Sequence, residues 1–142
     1  MSAEANVELV RRLYELHNRG ADAVLAAYEQ LCHPDTEWVP AVVGGAEGRS
    51  YRGREGLARW YREREEAFED ASVEIEECRA VGEDVVLLLG RSRARGRASG
   101  IEMDEKVGIL IHIRDGLIQR NQAFGSHRQA EEAASRAVEL RA

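Results

Sequence analysis

The groups in this chain that could do chemistry are few, and most of them sit alone. His17 ends an apolar stripe in which Val7, Val10, Leu13, Tyr14 and His17 recur at steps of three and four. An imidazole whose free pKa is about 6.5 can give or take a proton near neutrality. The same residue at the end of a helix can instead be structural, favoured there by the helix dipole. Arg120 and Gln122 alternate with Phe124 on one face of "LIQRNQAF" (117–124). If that face turns inward, the guanidinium stays charged and must meet an anion. That anion is either a ligand carboxylate, enolate or other oxyanion, or a carboxylate on a helix. Gln122 beside it is either a partner for a ligand carbonyl or a satisfied core amide. His33 and His127 fall at loop or cap positions, and His112 faces outward next to Leu110, where the two could belong to a dimer interface.

Other patterns exclude more than they suggest. Cys32 and Cys78 are far apart and lack metal-type spacing, so they read as reduced thiols, with a disulfide left open. No His, Cys and carboxylate cluster is visible, so no metal is expected, and no cofactor motif is present either. "GGAEG" and "GREG" match neither a P-loop nor a dinucleotide fingerprint and lie in no βαβ unit. Arg91, Arg93, Arg95 and Arg97 recur at every second residue and so share the outer face of one strand. No aromatic residue interleaves with them, which argues against nucleic acid. Cross-strand pairing with Glu74 and Glu76 is the simpler role.

The bulk properties agree. The chain has 142 residues, expected to form one domain over 1–142. A chain of this size buries roughly 70% of its unfolded surface, enough for a real core. The net charge of −6 and pI near 5.3 oppose a phosphate backbone as main partner. No apolar run reaches the ~20 residues of a membrane helix, and "MSAEANVELVRR" lacks the form of a secretory signal. A cytoplasmic protein without nucleic-acid or membrane partners is expected.

These residues must be positioned by elements that the periodicity predicts. Helices are expected over about Asn6–Arg19, capped by Asn6 and ended by Gly20, over Asp22–Leu31, and over Arg54–Phe68, where Leu57, Trp60, Tyr61, Arg64 and Phe68 share a side. "TEWVP" (36–40) is a short strand with Thr36, Trp38 and Pro40 on one face, and Pro40 places it at an edge. Four strands follow over 71–81, 85–97, 101–114 and 117–124, with "DG" (115–116) as a tight hairpin. Gly90, Gly96, Gly100 and Gly108 are candidate bends or bulges. "SHRQ" (126–129) is a capping box opening a last helix to about Leu140. Strands clustered after helices predict an α+β domain with an antiparallel sheet.

In this order, "VELVRRLYELHNRG", "HPDTEWVP", "YRGREGLARWY" and "GRASGIEMDEKVGILIHIRDGLIQRNQAF" resemble the SnoaL-like branch of the nuclear transport factor 2-like superfamily over roughly residues 5–134. The resemblance implies a cone: a curved antiparallel sheet wrapping helices, a pocket at the wide end, and a homodimer. Its relatives include polyketide cyclases, isomerases, hydrolases, dehydratases and non-catalytic modules. The positions matching the isomerase oxyanion tyrosine, general base and protonated aspartic acid are Leu13, Pro40 and Ile111, so those three roles are vacant. No inward carboxylate flanks Arg120 as the epoxide-hydrolase pattern would require, and the last strand lacks the acid of the cyclases.

With the sign of the faces taken from the resemblance, the expected pocket lining is Leu13, His17, Trp38, Trp60 or Tyr61, Leu88, Ile109, Ile111, Arg120, Gln122 and Phe124. The glycine-rich stretch after Trp38 (41–48) would be its lip. A mostly apolar cavity with a few convergent polar groups is the usual form of a small-molecule site. Two functions follow. One is binding of a small, largely apolar molecule with an oxygen-rich end, with acid–base chemistry of the cyclase, isomerase or hydrolase kind at His17 or Arg120. The other is a non-catalytic homodimeric binding or interaction module whose cavity is only packing.

Overall fold

The computed structural model describes residues 2–41 and 50–139; the glycine-rich lip expected after Trp38 lies largely outside them, at 42–49. Helix α1 (Ala3–Arg19) starts earlier than Asn6, because Ser2 is the cap: its Oγ accepts from the Ala5 N–H at 3.1 Å. Asn6 is buried instead, and its Nδ2 donates to the Glu83 carbonyl at 2.9 Å, tying the helix to a distant turn. Gly20 ends α1 with φ +126°, its N–H directed to the Leu16 and His17 carbonyls. The expected second helix is two pieces, α2 (Ala21–Ala26) and α3 (Tyr28–Leu31), broken at Ala27. The break leaves Val24, Tyr28 and Leu31 all buried.

Strand β1 (Cys32–Val39) begins earlier than expected, because an irregularity between Cys32 and Glu37 accommodates Pro34. A two-residue strand, β2 (Tyr51–Arg52), pairs with it outside Trp38 and carries too little pattern to be read from sequence. Then come α4 (Gly53–Ala67), β3 (Phe68–Ala80), β4 (Val85–Gly96), β5 (Glu102–Arg114), β6 (Leu117–Phe124) and α5 (His127–Glu139). The β5–β6 hairpin turns at Asp115 and Gly116 with φ +53° and +76°, the two positive values a type I′ turn requires. Ser126 Oγ accepts from the Gln129 N–H at 3.1 Å, so the expected cap of α5 is made.

The fold is α+β: one curved six-stranded sheet of order β2-β1-β6-β5-β4-β3. It is not wholly antiparallel, since β1 runs parallel to β6. One face packs on α1–α4 through Leu88, Ile109, Ile111, Ile113 and Ile118. The opposite face carries a second core, where α5 lays Ala130 and Ala134 on Val85, Leu87, Leu89 and Leu110. Leu110 is therefore enclosed by its own chain rather than exposed beside His112. Gly108 permits this approach, because a Cβ there would sit 2.3 Å from the Ala130 Cβ. Gly90 answers the bulge expectation differently: a Cβ would meet the Glu74 carbonyl oxygen at 2.0 Å, just where β3 shifts register between Ile75 and Glu77.

Strand β6 corrects the sequence reading most. The hairpin pairs Arg114 with Leu117 and Ile113 with Ile118, but His112 with Arg120, so Gln119 is an inserted residue. Alternation counted straight through from Ile118 turns Arg120, Gln122 and Phe124 inward. The bulge reverses the phase, so that Asn121 faces in opposite Ile111 while Arg120, Gln122 and Phe124 share the outer face with His112, Leu110 and Gly108. A straight register would have set the Arg120 guanidinium against Ile111 in the apolar core, and the bulge substitutes a neutral amide.

At the other end of the sheet, β3 is a thirteen-residue edge strand. Asn18 at the end of α1 occupies part of that edge. Its Oδ1 accepts from the Val73 N–H and its Nδ2 donates to the Val73 carbonyl, both at 2.8 Å.

Candidate functional site

The inner face of the sheet and the two long helices hold an aromatic cluster with a small number of polar atoms. His17 comes from the last turn of α1, Trp60 and Tyr61 from α4, and Trp38 from β1. His17 Nδ1 lies 2.6 Å from the Tyr61 hydroxyl. The imidazole stacks near the Trp60 ring at 6.0 Å and 26°, and Trp38 lies 5.6 Å from Trp60. Tyr14 tilts against His17 at 5.1 Å, and its hydroxyl accepts from Asn121 Nδ2 at 2.9 Å. The hydroxyl of Thr36 donates to the Ile118 carbonyl at 2.7 Å. Buried polar atoms here have partners supplied by other elements, which fixes the helices on the sheet.

Burial governs the protonation of this cluster. Desolvation, with the positive charge of Arg64 second, pulls the His17 pKa down to about 3. Desolvation likewise raises the Tyr14 and Tyr61 phenols well above their usual range. The His17–Tyr61 pair is therefore neutral at physiological pH. Two protons serve it, one on the imidazole and one on the phenol, and the bond between them uses one. If Tyr61 donates to Nδ1, His17 Nε2 carries a hydrogen; if Nδ1 donates to Tyr61, Nε2 is an open acceptor. The polar atom of His17 left over from the pair can thus act in either sense without an ion forming.

His17 also lines a cleft of about 250 Å³ between the ends of α1 and α4 and the start of β3, together with Asn18, Arg64, Phe68 and Asp70. A second, shallower cleft of about 520 Å³ adjoins it through Glu65 and Arg97, with Ala21, Leu25 and Arg62 on its walls. The deeper interior is filled by the chain's own side chains: Leu13, Tyr61, Leu88 and Ile111 are wholly enclosed.

Of the residues expected to line a pocket, Leu13, His17, Trp38, Trp60, Tyr61, Leu88, Ile109 and Ile111 come together on the inner face. Three do not. Arg120 pairs with Glu37 at 3.0 Å on the outer side of the sheet, where Arg52 reaches the same carboxylate at 3.2 Å. Gln122 lies opposite Leu110, and Phe124 joins the core under α5. Neither reading of an inward Arg120 applies, because the bulge places it outside. The arginine ladder behaves as expected: Arg93 meets Glu74 at 2.8 Å and Asp104 at 3.4 Å, and Arg91 meets Asp104 at 2.7 Å. Glu76, in the β3 bulge, instead lies 3.9 Å from His127, whose Nε2 donates to the Gly90 carbonyl at 2.9 Å.

Sequence reasoning missed Asn121 and gave Arg64 no role. The signal for Arg64 was present, since it shares the Trp60–Tyr61 side of its helix. Among the described residues no group of His, Cys, Asp and Glu side chains could hold a metal, and no helix is long and apolar enough to cross a membrane.

Comparison with known proteins places this architecture. No curated protein matches the chain in sequence. A protein from Jannaschia sp. CCS1, provisionally designated a SnoaL-like polyketide cyclase, superposes with a TM-score of 0.73 at 19% identity, covering 93% of this chain and 92% of its own. An NTF2-like protein of unknown function from Burkholderia pseudomallei K96243 does so with a TM-score of 0.72 at 20% identity, over 93% of this chain and 97% of its own. TerC, co-crystallised with polyporic acid, gives 0.71 at 19% identity over 92% and 98%. Identities this low establish the shared fold. The sequence model of the SnoaL-like domain matches residues 10–121, most of the chain, and the protein therefore belongs to the SnoaL-like domain family.

Proposed function

We propose that this protein binds a small molecule with an oxygen-bearing end in the cleft beside His17, and that His17 handles a proton there in chemistry of the isomerase or cyclase kind. The observation that carries this reading is the neutral His17–Tyr61 pair, 2.6 Å apart, at the wall of a 250 Å³ cleft. A neutral imidazole whose free nitrogen carries the hydrogen can donate to a carbonyl oxygen and so acidify the carbon beside it, while a pKa near 3 makes it too weak a base to take that carbon's proton itself. Tyr61 lies behind it and is a positioning residue, fixing the ring and exchanging donor and acceptor roles with it. Phe68 supplies an aromatic wall. The family and the co-crystallisation of a structural neighbour with a small organic acid support a small-molecule ligand.

The test is proton exchange. Aryl ketones incubated with the protein in D₂O should gain deuterium at the carbon next to the carbonyl faster than in buffer. His17→Gln should abolish the gain, and Tyr61→Phe should weaken it and change its pH profile. Exchange at the buffer rate with every ketone tried sinks the catalytic part of the reading.

One observation favours a second reading, a binding or interaction module without turnover: the interior positions Leu13, Leu88 and Ile111 are filled by the chain itself. Both readings include the homodimer implied by the resemblance. Native mass spectrometry of protein purified gently from its own cells tests the dimer and any retained small molecule together. A bare monomer would count against both.

A further inference from the structure

Arg64 extends from the last turn of α4 into the same cleft as His17. Its guanidinium lies over the Trp60 ring at 5.3 Å and the Tyr61 ring at 5.8 Å. Seven of the arginines on the outer face and helix surfaces behave otherwise: Arg19, Arg52, Arg91, Arg93, Arg95, Arg97 and Arg120 each meet a carboxylate. Arg64 is half-buried and forms no ion pair among the described residues. The carboxylates that share its cleft make their contacts elsewhere, and Glu65 acts on Arg64 only through its charge. Glu69 pairs with Arg95 and Arg97, Asp70 lies 3.9 Å from Arg95, and Glu65 accepts from the Ala21 N–H. Aromatic faces hold a guanidinium in place and orient it, but they leave its N–H donors unused. A partly desolvated cation with no carboxylate in contact costs stability, and an anion brought against it is attracted.

We infer that Arg64 is the anion receptor of this cleft, so that the ligand is an organic acid whose carboxylate or enolate sits against the guanidinium while its carbonyl side faces His17. This rests on the cleft being the ligand site and narrows the ligand class. Planar acids suit the arrangement, because the oxygens can take two parallel N–H bonds from Arg64 while the ring lies against Phe68 of the cleft wall. Arg64 also accounts for part of the depressed basicity of His17, so an anion bound between them raises the His17 pKa.

The experiment compares 2-naphthoate with its neutral isostere 2-naphthamide by calorimetry and thermal melting. The wild type should bind naphthoate at least about tenfold more tightly than the amide, and naphthoate should raise its Tm. Arg64→Met keeps the packing on Trp60 and removes the charge; it should level the two affinities. In the absence of ligand it should also melt no lower than wild type, since it removes a partly desolvated charge that no carboxylate contacts. Arg64→Lys should keep the preference for naphthoate in reduced form. Equal binding of acid and amide by the wild type, or a preference unchanged in Arg64→Met, overturns the inference and leaves the cleft reading intact. A ligand-free Arg64→Met protein that melts well below wild type also overturns it, because the guanidinium would then be structural. Binding of neither compound overturns the inference and the cleft reading together.

Discussion

The two faces of the sheet use polar side chains in opposite ways. The outer face carries a lattice of exposed ion pairs in which Arg91, Arg93 and Arg95 share the carboxylates of β3 and β5. Each pair is screened by water, and losing one leaves two solvated groups. The inner face has few polar contacts, but each is enclosed: Tyr14 with Asn121, His17 with Tyr61, Thr36 with a backbone carbonyl. Losing one partner there strands a desolvated group. The inner contacts are therefore where the chain concentrates its sensitivity, although the outer ones are more numerous.

The largest effect should come from the joint between the faces. Gly90→Ala drives a Cβ into the Glu74 carbonyl, a rigid backbone atom, and should cost about 3 kcal/mol or more in urea unfolding. A near-neutral Gly90→Ala would mean that the β3 bulge yields easily and that the faces are not rigidly coupled.

Acid should act next, and through the inner face. The folded-state pKa of His17 is lowered to about 3 from an unfolded value near 6.5. The unfolded chain therefore binds the extra proton first. The stabilisation is complete above pH 6.5 and is lost as pH falls from there toward 3. Between pH 6.5 and 5 the loss should approach ~2 kcal/mol. His17→Gln should remove that slope from stability-versus-pH curves, whereas an equal slope in the variant would move the acid sensitivity to the outer carboxylates.

Smaller again is the Tyr14–Asn121 bond. Asn121→Leu strands the Tyr14 hydroxyl and should cost about 1–3 kcal/mol, and adding Tyr14→Phe should recover part of it. A double variant no better than the single one would mean that Asn121 acts by packing alone. The smallest effect belongs to the outer lattice: Arg93→Ala should change stability by no more than about 1 kcal/mol, less in high salt. A larger loss would erase the contrast between the faces.

These particulars also show what a sequence can reveal. Elements with a sustained period were legible: the stripe of α1, the alternation of β4 and β5, and the Asp115–Gly116 turn, because local sterics and burial act in the same direction there. So was the aromatic cluster, since His17, Trp60 and Tyr61 occupy predictable helix faces. Arg120 was misplaced for a reason that acts at a distance. The inserted Gln119 is specified by what Ile111 will tolerate opposite it, and no pattern within β6 records that. Asn6 was misread in the same way, as a local cap rather than an anchor for residues far along the chain. Arg64 shared the right stripe, but its importance lies in the absence of an ion pair among the described residues, which only packing reveals.

Asn18 has a consequence beyond its two hydrogen bonds. A long edge strand is an invitation to any other extended chain, and β3 would otherwise offer thirteen residues of it. The amide of Asn18 imitates a neighbouring strand at Val73, giving one donor and one acceptor where a peptide would give the same. A seventh strand, whether from a second copy or from a misfolded neighbour, would have to displace that mimic and lift the end of α1 with it. This edge of the sheet is thus closed at Val73 by a side chain that belongs to a helix.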